Sequence, residues 1–517
     1  MDSQTNSLKS ILKSHDSYLL LLWAVLIGAA AGLVTVAFRF AATYAEKLNG
    51  ILFSFSGSVW KVLLLFVMLT VLGIIVGRLS DSETLIKGSG IPQLEGQLMG
   101  YFSPKCIAVL IKKFISVSLC LVGGLSFGKA GPSMQLGAMA AQGVCKATKR
   151  SRSEQKYLLI CGASAALSAI FNAPLTGLMF ALEEIHKNFS ARAIFPAMIS
   201  AITADIIANA FFGSATTLHL SQVSVLPFCQ YGLYIALGII AGLFGALYHV
   251  SLFASQRLYA GTRLPSRWCM VIPFILSGVL GLLMPEVLGG GSRIIEALAS
   301  GKYALGFMAA ALAVKFVFTM LCIGSGAPGG IFFPMLVLGA LVGSIFGTFS
   351  IGFFGLPEDC MMNFILLGMA GTFAAVVRAP LTGILMVVEL SGSFTQLIGL
   401  TIVVCIASIV AKLLGCRPVY ERMLDNMTPD PIYRTKSKQD QNIIDLAVTY
   451  DSPLAGKHIS EVEWPKSCLA VSITRGSEQL IPHGDTSIEP GDIISVVCPV
   501  GDEALVQATA GSSVSAV

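Results

Sequence analysis

Gly128-Lys-Ala-Gly-Pro132, followed by Leu136-Gly-Ala138, returns as Gly330-Ile-Phe-Phe-Pro334 followed by Leu338-Gly-Ala340, an offset of 202 residues (330 − 128 = 202). Asn172-Ala-Pro-Leu-Thr-Gly177 returns as Arg378-Ala-Pro-Leu-Thr-Gly383 (378 − 172 = 206), which carries Glu183 onto Glu389. Nearer the start, Gly28 and Ala31-Gly32-Leu33 match Gly238 and Ala241-Gly242-Leu243 (238 − 28 = 210). Three elements in the same order at nearly constant spacing indicate an internal duplication. The two halves cover about 20–220 and about 225–425.

The repeated segments are rich in Gly and Pro yet sit within an almost unbroken series of apolar stretches from Leu19 to Leu414. Of the 517 residues, 55% are hydrophobic and only 12% charged, and mean hydropathy is +0.77. So few charges cannot cover that much apolar surface in water, so the class is a polytopic membrane protein. Leu19–Ala42, Val59–Val76, Gly232–Leu252 and Leu397–Leu414 are long enough to span a bilayer or nearly so. Leu19–Ala42 is too long for the apolar core of a cleavable signal. Basic clusters at Lys146, Lys149, Arg150 and Arg152, and at Arg434, Lys436 and Lys438, mark cytoplasmic loops rather than a nucleic-acid surface. The twelve cysteines form no CxxC pair, which points to buried small hydrophobes rather than a metal site or disulfide framework.

Breaks near Gly88–Pro92, Gly128–Pro132, Asn172–Gly177, Gly324–Pro334 and Arg378–Gly383 read as helices that start or stop inside the membrane. Such breaks are tolerated only where backbone is buried or lines a cavity. Paired broken segments in duplicated halves place a substrate site between the halves, near mid-membrane. Open N–H groups and the positive end of the dipole at a half-helix N-terminus suit an anion, whereas direct contact with Lys or Arg would hold it too tightly. In Gly88-Ser-Gly-Ile-Pro92 the glycines admit close backbone approach, Ser89 adds a hydroxyl donor, and Pro92 fits a first helical turn.

With these motifs stands Tyr420, in Pro418-Val-Tyr420. The set resembles the CLC family of chloride channels and proton/chloride exchangers over roughly residues 17–426. The resemblance implies an all-α polytopic membrane protein of two inverted homologous halves, with broken, tilted helices, assembled as a homodimer with one anion path per subunit. It implies a central anion held by Ser89, Gly90, the N–H groups of Ile331 and Phe332, and the Tyr420 hydroxyl. Ser89 argues against the fluoride-exporting branch.

The resemblance also makes two carboxylate positions decisive. Where the family carries a glutamate that gates the path and takes up the proton, this chain has Ala130. A methyl group does neither. Glu184 matches the inner glutamate with which exchangers pass protons, whereas Glu183, paired with Glu389 by the duplication, reads as structural. The expectation is passive chloride conduction without obligatory proton coupling. The alternative is a proton/chloride antiporter whose outer glutamate has been substituted or whose proton route differs. A ligand-sensing membrane protein without transport is the rival from another class, and retention of both broken repeats speaks against it. No nucleophile–base pair or metal cluster suggests an enzyme, and no cofactor is implied.

After Leu424 the composition changes. Residues 427–442 read as a linker, 443–510 as a small cytoplasmic α+β domain, and 511–517 as a disordered tail, while 1–16 form a polar cytoplasmic N-terminal segment. Ser452-Pro-Leu-Ala-Gly-Lys457, Leu469-Ala-Val471, Pro482, Asp485 and Glu489-Pro-Gly-Asp-Ile493 resemble the C-terminal subdomain of regulator-of-potassium-conductance proteins, the TrkA-C type. That resemblance implies either a small-molecule ligand or a dimerisation module, and His458 and His483 read as ordinary surface histidines. The expected setting is a bacterial inner membrane with both termini cytoplasmic.

Overall fold

The computed structural model describes residues 15–53, 59–213, 230–262, 264–299, 301, 303–428, 441–450, 452–462, 464–465, 468–475, 478–499 and 506. The linker after 428, the terminal tail and most of the first 16 residues lie outside these. Two compact units divide the chain, 1–424 and 425–517.

The larger unit is helical. Its first half runs α1 (His15–Phe53), α2 (Val59–Ser82), α3 (Ile91–Leu98), α4 (Cys106–Val122), α5 (Ala130–Ala147), α6 (Arg152–Phe171), α7 (Pro174–Phe180) and α8 (Ala191–Phe212). The second half runs α9 (Gly232–Gly261), α10 (Ser266–Leu283), α11 (Ser292–Ala299), α12 (Leu305–Gly324), α13 (Phe332–Phe354), α14 (Met361–Val377), α15 (Pro380–Ser391) and α16 (Leu397–Leu413). The last helix, α17 (Val419–Met427), begins in this unit. Among the described residues, eight helices are long and apolar enough to cross a membrane. Others, such as α3, α7 and α11, are far shorter than the ~20 residues a span needs. Helix α1 extends past the apolar run ending at Ala42, because the polar segment with Tyr44, Glu46 and Lys47 continues the same helix.

The halves are tied by hydrogen bonds that repeat under exchange of one half for the other. Gly128 N–H donates to Gly330 C=O at 2.7 Å, and Gly330 N–H returns the bond at 3.0 Å. This reciprocal antiparallel bridge between equivalent residues is what a local two-fold axis produces, and it relates the halves as inverted copies. Gly88 N–H reaches Gly326 C=O at 3.2 Å, and its counterpart Gly289 N–H reaches Gly124 C=O at 2.9 Å. The Glu183 carboxylate accepts from Leu381 N, Thr382 N and Thr382 Oγ1 at 3.1, 2.8 and 2.7 Å. Glu389 accepts from Leu175 N, Thr176 N and Thr176 Oγ1 at 2.9, 2.7 and 2.5 Å. Each broken helix, α7 and α15, thus has its open N–H groups capped by a carboxylate from the opposite half.

Small residues set the spacing. A Cβ on Gly162 of α6 would lie 2.5 Å from Gly137 O of α5, and one on Gly368 of α14 would lie 2.4 Å from Gly339 O of α13. The early repeat works likewise, since Gly28 of α1 seats on Ser200 of α8 and Gly238 of α9 on Ile406 of α16. Most of the cysteines described are buried, though Cys405 faces outward.

The smaller unit carries β1 (Gln441–Ala447), β2 (Leu469–Arg475), β3 (Glu478–Leu480) and β4 (Ile493–Pro499), antiparallel in the order β1-β4-β2-β3. Leu446, Ile473, Ile488, Ile494 and Val496 form its core. Asp492, nearly fully buried, accepts from Arg475 Nε and Nη2 at 2.9 and 2.8 Å and from Glu489 N–H at 2.9 Å, which fixes the Pro490-Gly491 turn. Burial alone would push the Asp492 carboxyl up, but the bonds from Arg475 and the Glu489 N–H hold it below its usual range. Strand β3 has no counterpart in the sequence reading, because Glu-Gln-Leu is short and mostly polar.

Candidate anion pathway between the halves

The loop before α3 needs two left-handed residues, and glycine supplies both: Gly88 has φ +62° and Gly90 φ +100°. Ser89 between them is 3% exposed. A Cβ on Gly131 would come 2.3 Å from Ser89 Oγ, so the first turn of α5 rests directly on this serine. Ala130 opens α5 and is fully buried, with Ser133 Oγ donating to its carbonyl at 2.7 Å. Ile331 caps α13 and Phe332 is its first residue, so the helix geometry leaves both N–H groups without an intrahelical acceptor.

Tyr420 on α17 is completely buried and faces Ser89 closely. Neither Ser89 Oγ nor Tyr420 Oη has a hydrogen-bond partner at ordinary distance. Even where one of two facing hydroxyls donates to the other, one O–H donor is left over, and leaving it buried and unmet costs about 1–3 kcal/mol. Around them Phe332 packs on Phe171, Phe180 and Phe373 at centroid distances of 5.6, 5.7 and 5.0 Å, and Phe180 meets Tyr420 edge-on at 6.2 Å. Positive ring edges, hydroxyl donors and open N–H groups together suit a monovalent anion.

Glu184 is 3% exposed and its Oε1 has no partner. It lies in a π-turn, Ala181–His186, that continues α7. The turn sends the adjacent carboxylates in different directions: Glu183 to the start of α15, Glu184 to within electrostatic reach of Tyr420. Lys187, Glu95 and Glu421 also lie in reach of Glu184, and Lys187 pairs with the buried Glu95. The structure therefore brings Ser89, Gly90, Ala130, Ile331, Phe332 and Tyr420 together, with Glu184 to one side.

A pair of buried lysines went unread in the sequence. Lys113 Nζ donates to Ile86 O and Gly88 O at 2.8 and 2.7 Å, and Lys315 Nζ to Val287 O and Gly289 O at 2.7 and 2.5 Å. Both side chains are fully buried and occupy equivalent positions of the two halves. Lys315 is the one charged residue of α12, which was the available signal, whereas Lys113 stands beside Lys112 in α4. Tyr248 on α9, whose buried hydroxyl is unpaired near Tyr420, was also missed.

The profile of the voltage gated chloride channel family matches residues 80–412, and that of the TrkA-C domain matches 443–511. The H(+)/Cl(-) exchange transporter ClcA of Citrobacter koseri is 34% identical over 438 residues, covering 81% of this chain and 89% of the relative. ClcA of Klebsiella pneumoniae subsp. pneumoniae matches with the same figures. Among solved structures, a slow cyanobacterial Cl-/H+ antiporter superposes with a TM-score of 0.73 at 28% identity, over 81% of this chain and 99% of the other. A CLC-type fluoride/proton antiporter superposes with a TM-score of 0.67 at 23% identity, over 77% of this chain and 96% of the other, a likeness of fold alone.

Proposed function

The chain belongs to the voltage gated chloride channel family, and we propose that it carries chloride passively, without obligatory proton counter-transport. CLC-type anion transport across a membrane is its activity. The absence of coupling is carried by one observation: the buried first residue of α5, beside Ser89, is Ala130. A methyl group cannot compete with an anion or take up a proton there. The anion is held by the Ser89 and Tyr420 hydroxyls and the N–H groups of Gly90, Ile331 and Phe332, with Ala130 leaving the path ungated on its far side. Glu184, buried within reach of Tyr420, is an inner proton site that has lost its outer relay.

The specific observation favouring the antiporter reading is Glu184 itself, since a buried carboxylate is expensive to keep unless used or paired. The relatives named above are proton/chloride exchangers, and the matching structure at 28% identity is an antiporter. Comparing the native protein with Ala130→Glu separates the readings. In liposomes, native chloride flux should be insensitive to an imposed proton gradient, and Ala130→Glu should make it gradient-dependent. Gradient-driven native flux would overturn the passive reading. We place the protein as a homodimer in a bacterial inner membrane with both termini cytoplasmic, the TrkA-C domain binding a small ligand or joining subunits. Accessibility labelling of cysteines placed at each terminus and cross-linking in membranes test that placement.

A further inference from the structure

Helices α1, α6, α11 and α13 and the segment just before α5 border a cavity of about 250 Å³ lined by Arg39, Glu46, Lys129, Phe171, Glu296 and Phe333. It adjoins the proposed path: Lys129 immediately precedes Ala130, and Phe171 stacks on both Phe332 and Phe333. The volume accommodates a monovalent anion with part of its hydration shell. Its two cations are held differently. Arg39 is fixed, with Nη1 on Asn172 Oδ1 at 2.8 Å and on Ala169 O at 3.3 Å, and its guanidinium 4.2 Å over the Phe212 ring. Lys129 Nζ instead meets Glu46 Oε1 at 2.8 Å, with 27% of the lysine and 43% of the glutamate side chain exposed.

We propose that Glu46 sets the chloride affinity of this vestibule: a tethered carboxylate that competes with incoming chloride for the Lys129 ammonium. A carboxylate and a halide seek the same cation, and a partly exposed ion pair is weak enough to be exchanged. Each time Glu46 yields, the Lys129 ammonium draws an anion to the start of α5, and its partial exposure keeps that contact weak enough for release. The other ionised groups near the pair are Arg39 on the same helix, Glu296 and Arg293 on α11, and Glu286 in the turn before it. With two or three acids close by, Lys129 supplies the exchangeable positive charge, and Glu46 sets how much of it an anion feels.

This inference rests on the path running past the start of α5, and the experiment separates the two. Flux is measured in bilayers against chloride concentration added from each side in turn, for the native protein, Glu46→Gln, Lys129→Gln and the double variant. Glu46→Gln should lower the half-saturating chloride by about two- to fivefold, the range set by a partly exposed ion pair. The effect should occur from one side only, vanish in the Lys129→Gln background, and shrink in about 1 M impermeant salt, where the Debye length is about 3 Å. Equal flux at saturating chloride reports a folded variant, and Glu46→Ala provides a second one. An unchanged half-saturation, or the same shift without Lys129, overturns the role of Glu46. Absent native flux would instead overturn the transport reading.

Discussion

The loops Gly88-Ser89-Gly90 and Gly289-Gly290-Gly291 are the same backbone used twice. Their outer glycines have φ of +62° and +100° in one, +65° and +94° in the other. Each precedes an eight-residue helix, each hangs from a glycine of the opposite half, and each is underpinned by a buried lysine on two carbonyls. The difference is the middle residue. Ser89 points an unpaired hydroxyl at Tyr420 in a closed interior, whereas Gly290 has no side chain and lines the vestibule. Duplication supplied a symmetric frame, and single side chains then gave one copy a buried hydroxyl and left the other bare at the cavity; in the proposed path the first is the binding end and the second the mouth.

Removing the shared supports should have the largest effect. Lys113→Met and Lys315→Met each remove two hydrogen bonds from a buried ammonium to backbone carbonyls, and each should destabilise the protein by about 1.5–3 kcal/mol, read as thermal unfolding in detergent. The symmetry should then fail in function. Lys113→Met should weaken chloride binding because its loop carries Ser89, while Lys315→Met should leave affinity unchanged. Equal losses of affinity would break the distinction drawn between the loops.

A smaller effect sharpens it. Ser89→Ala should reduce chloride affinity by about five- to thirtyfold, the worth of about 1–2 kcal/mol for one hydrogen bond to an ion, as measured by titration calorimetry. Gly290→Ser should change affinity less than about twofold, because a Cβ there meets its nearest neighbour only at 3.4 Å and its φ is not left-handed. The shift of about two- to fivefold from Glu46→Gln, confined to the vestibule, falls between these two.

The frame was legible because the repeated Gly-Pro segments and the matched pair Glu183 and Glu389 stand at nearly fixed spacing in the sequence. What Glu183 binds was not legible, since Thr382 lies 199 residues away and only folding brings the two together. The gathering of Ser89, Ala130, Phe332 and Tyr420 was expected only from the resemblance to the CLC family, not from spacing. The lysines escaped notice because their partners are backbone carbonyls, which leave no mark in sequence. The Glu46–Lys129 pair joins two helices across a cavity, a contact that spacing does not encode. The π-turn that parts Glu183 from Glu184 carries no Gly or Pro to mark it in the sequence.

Uncoupled conduction is tested most directly by recording chloride and proton movement together in liposomes that hold a chloride gradient and no proton gradient. Rapid chloride flux with no uphill proton movement is the expected result. Sustained proton pumping against its gradient, in fixed proportion to chloride, would contradict it.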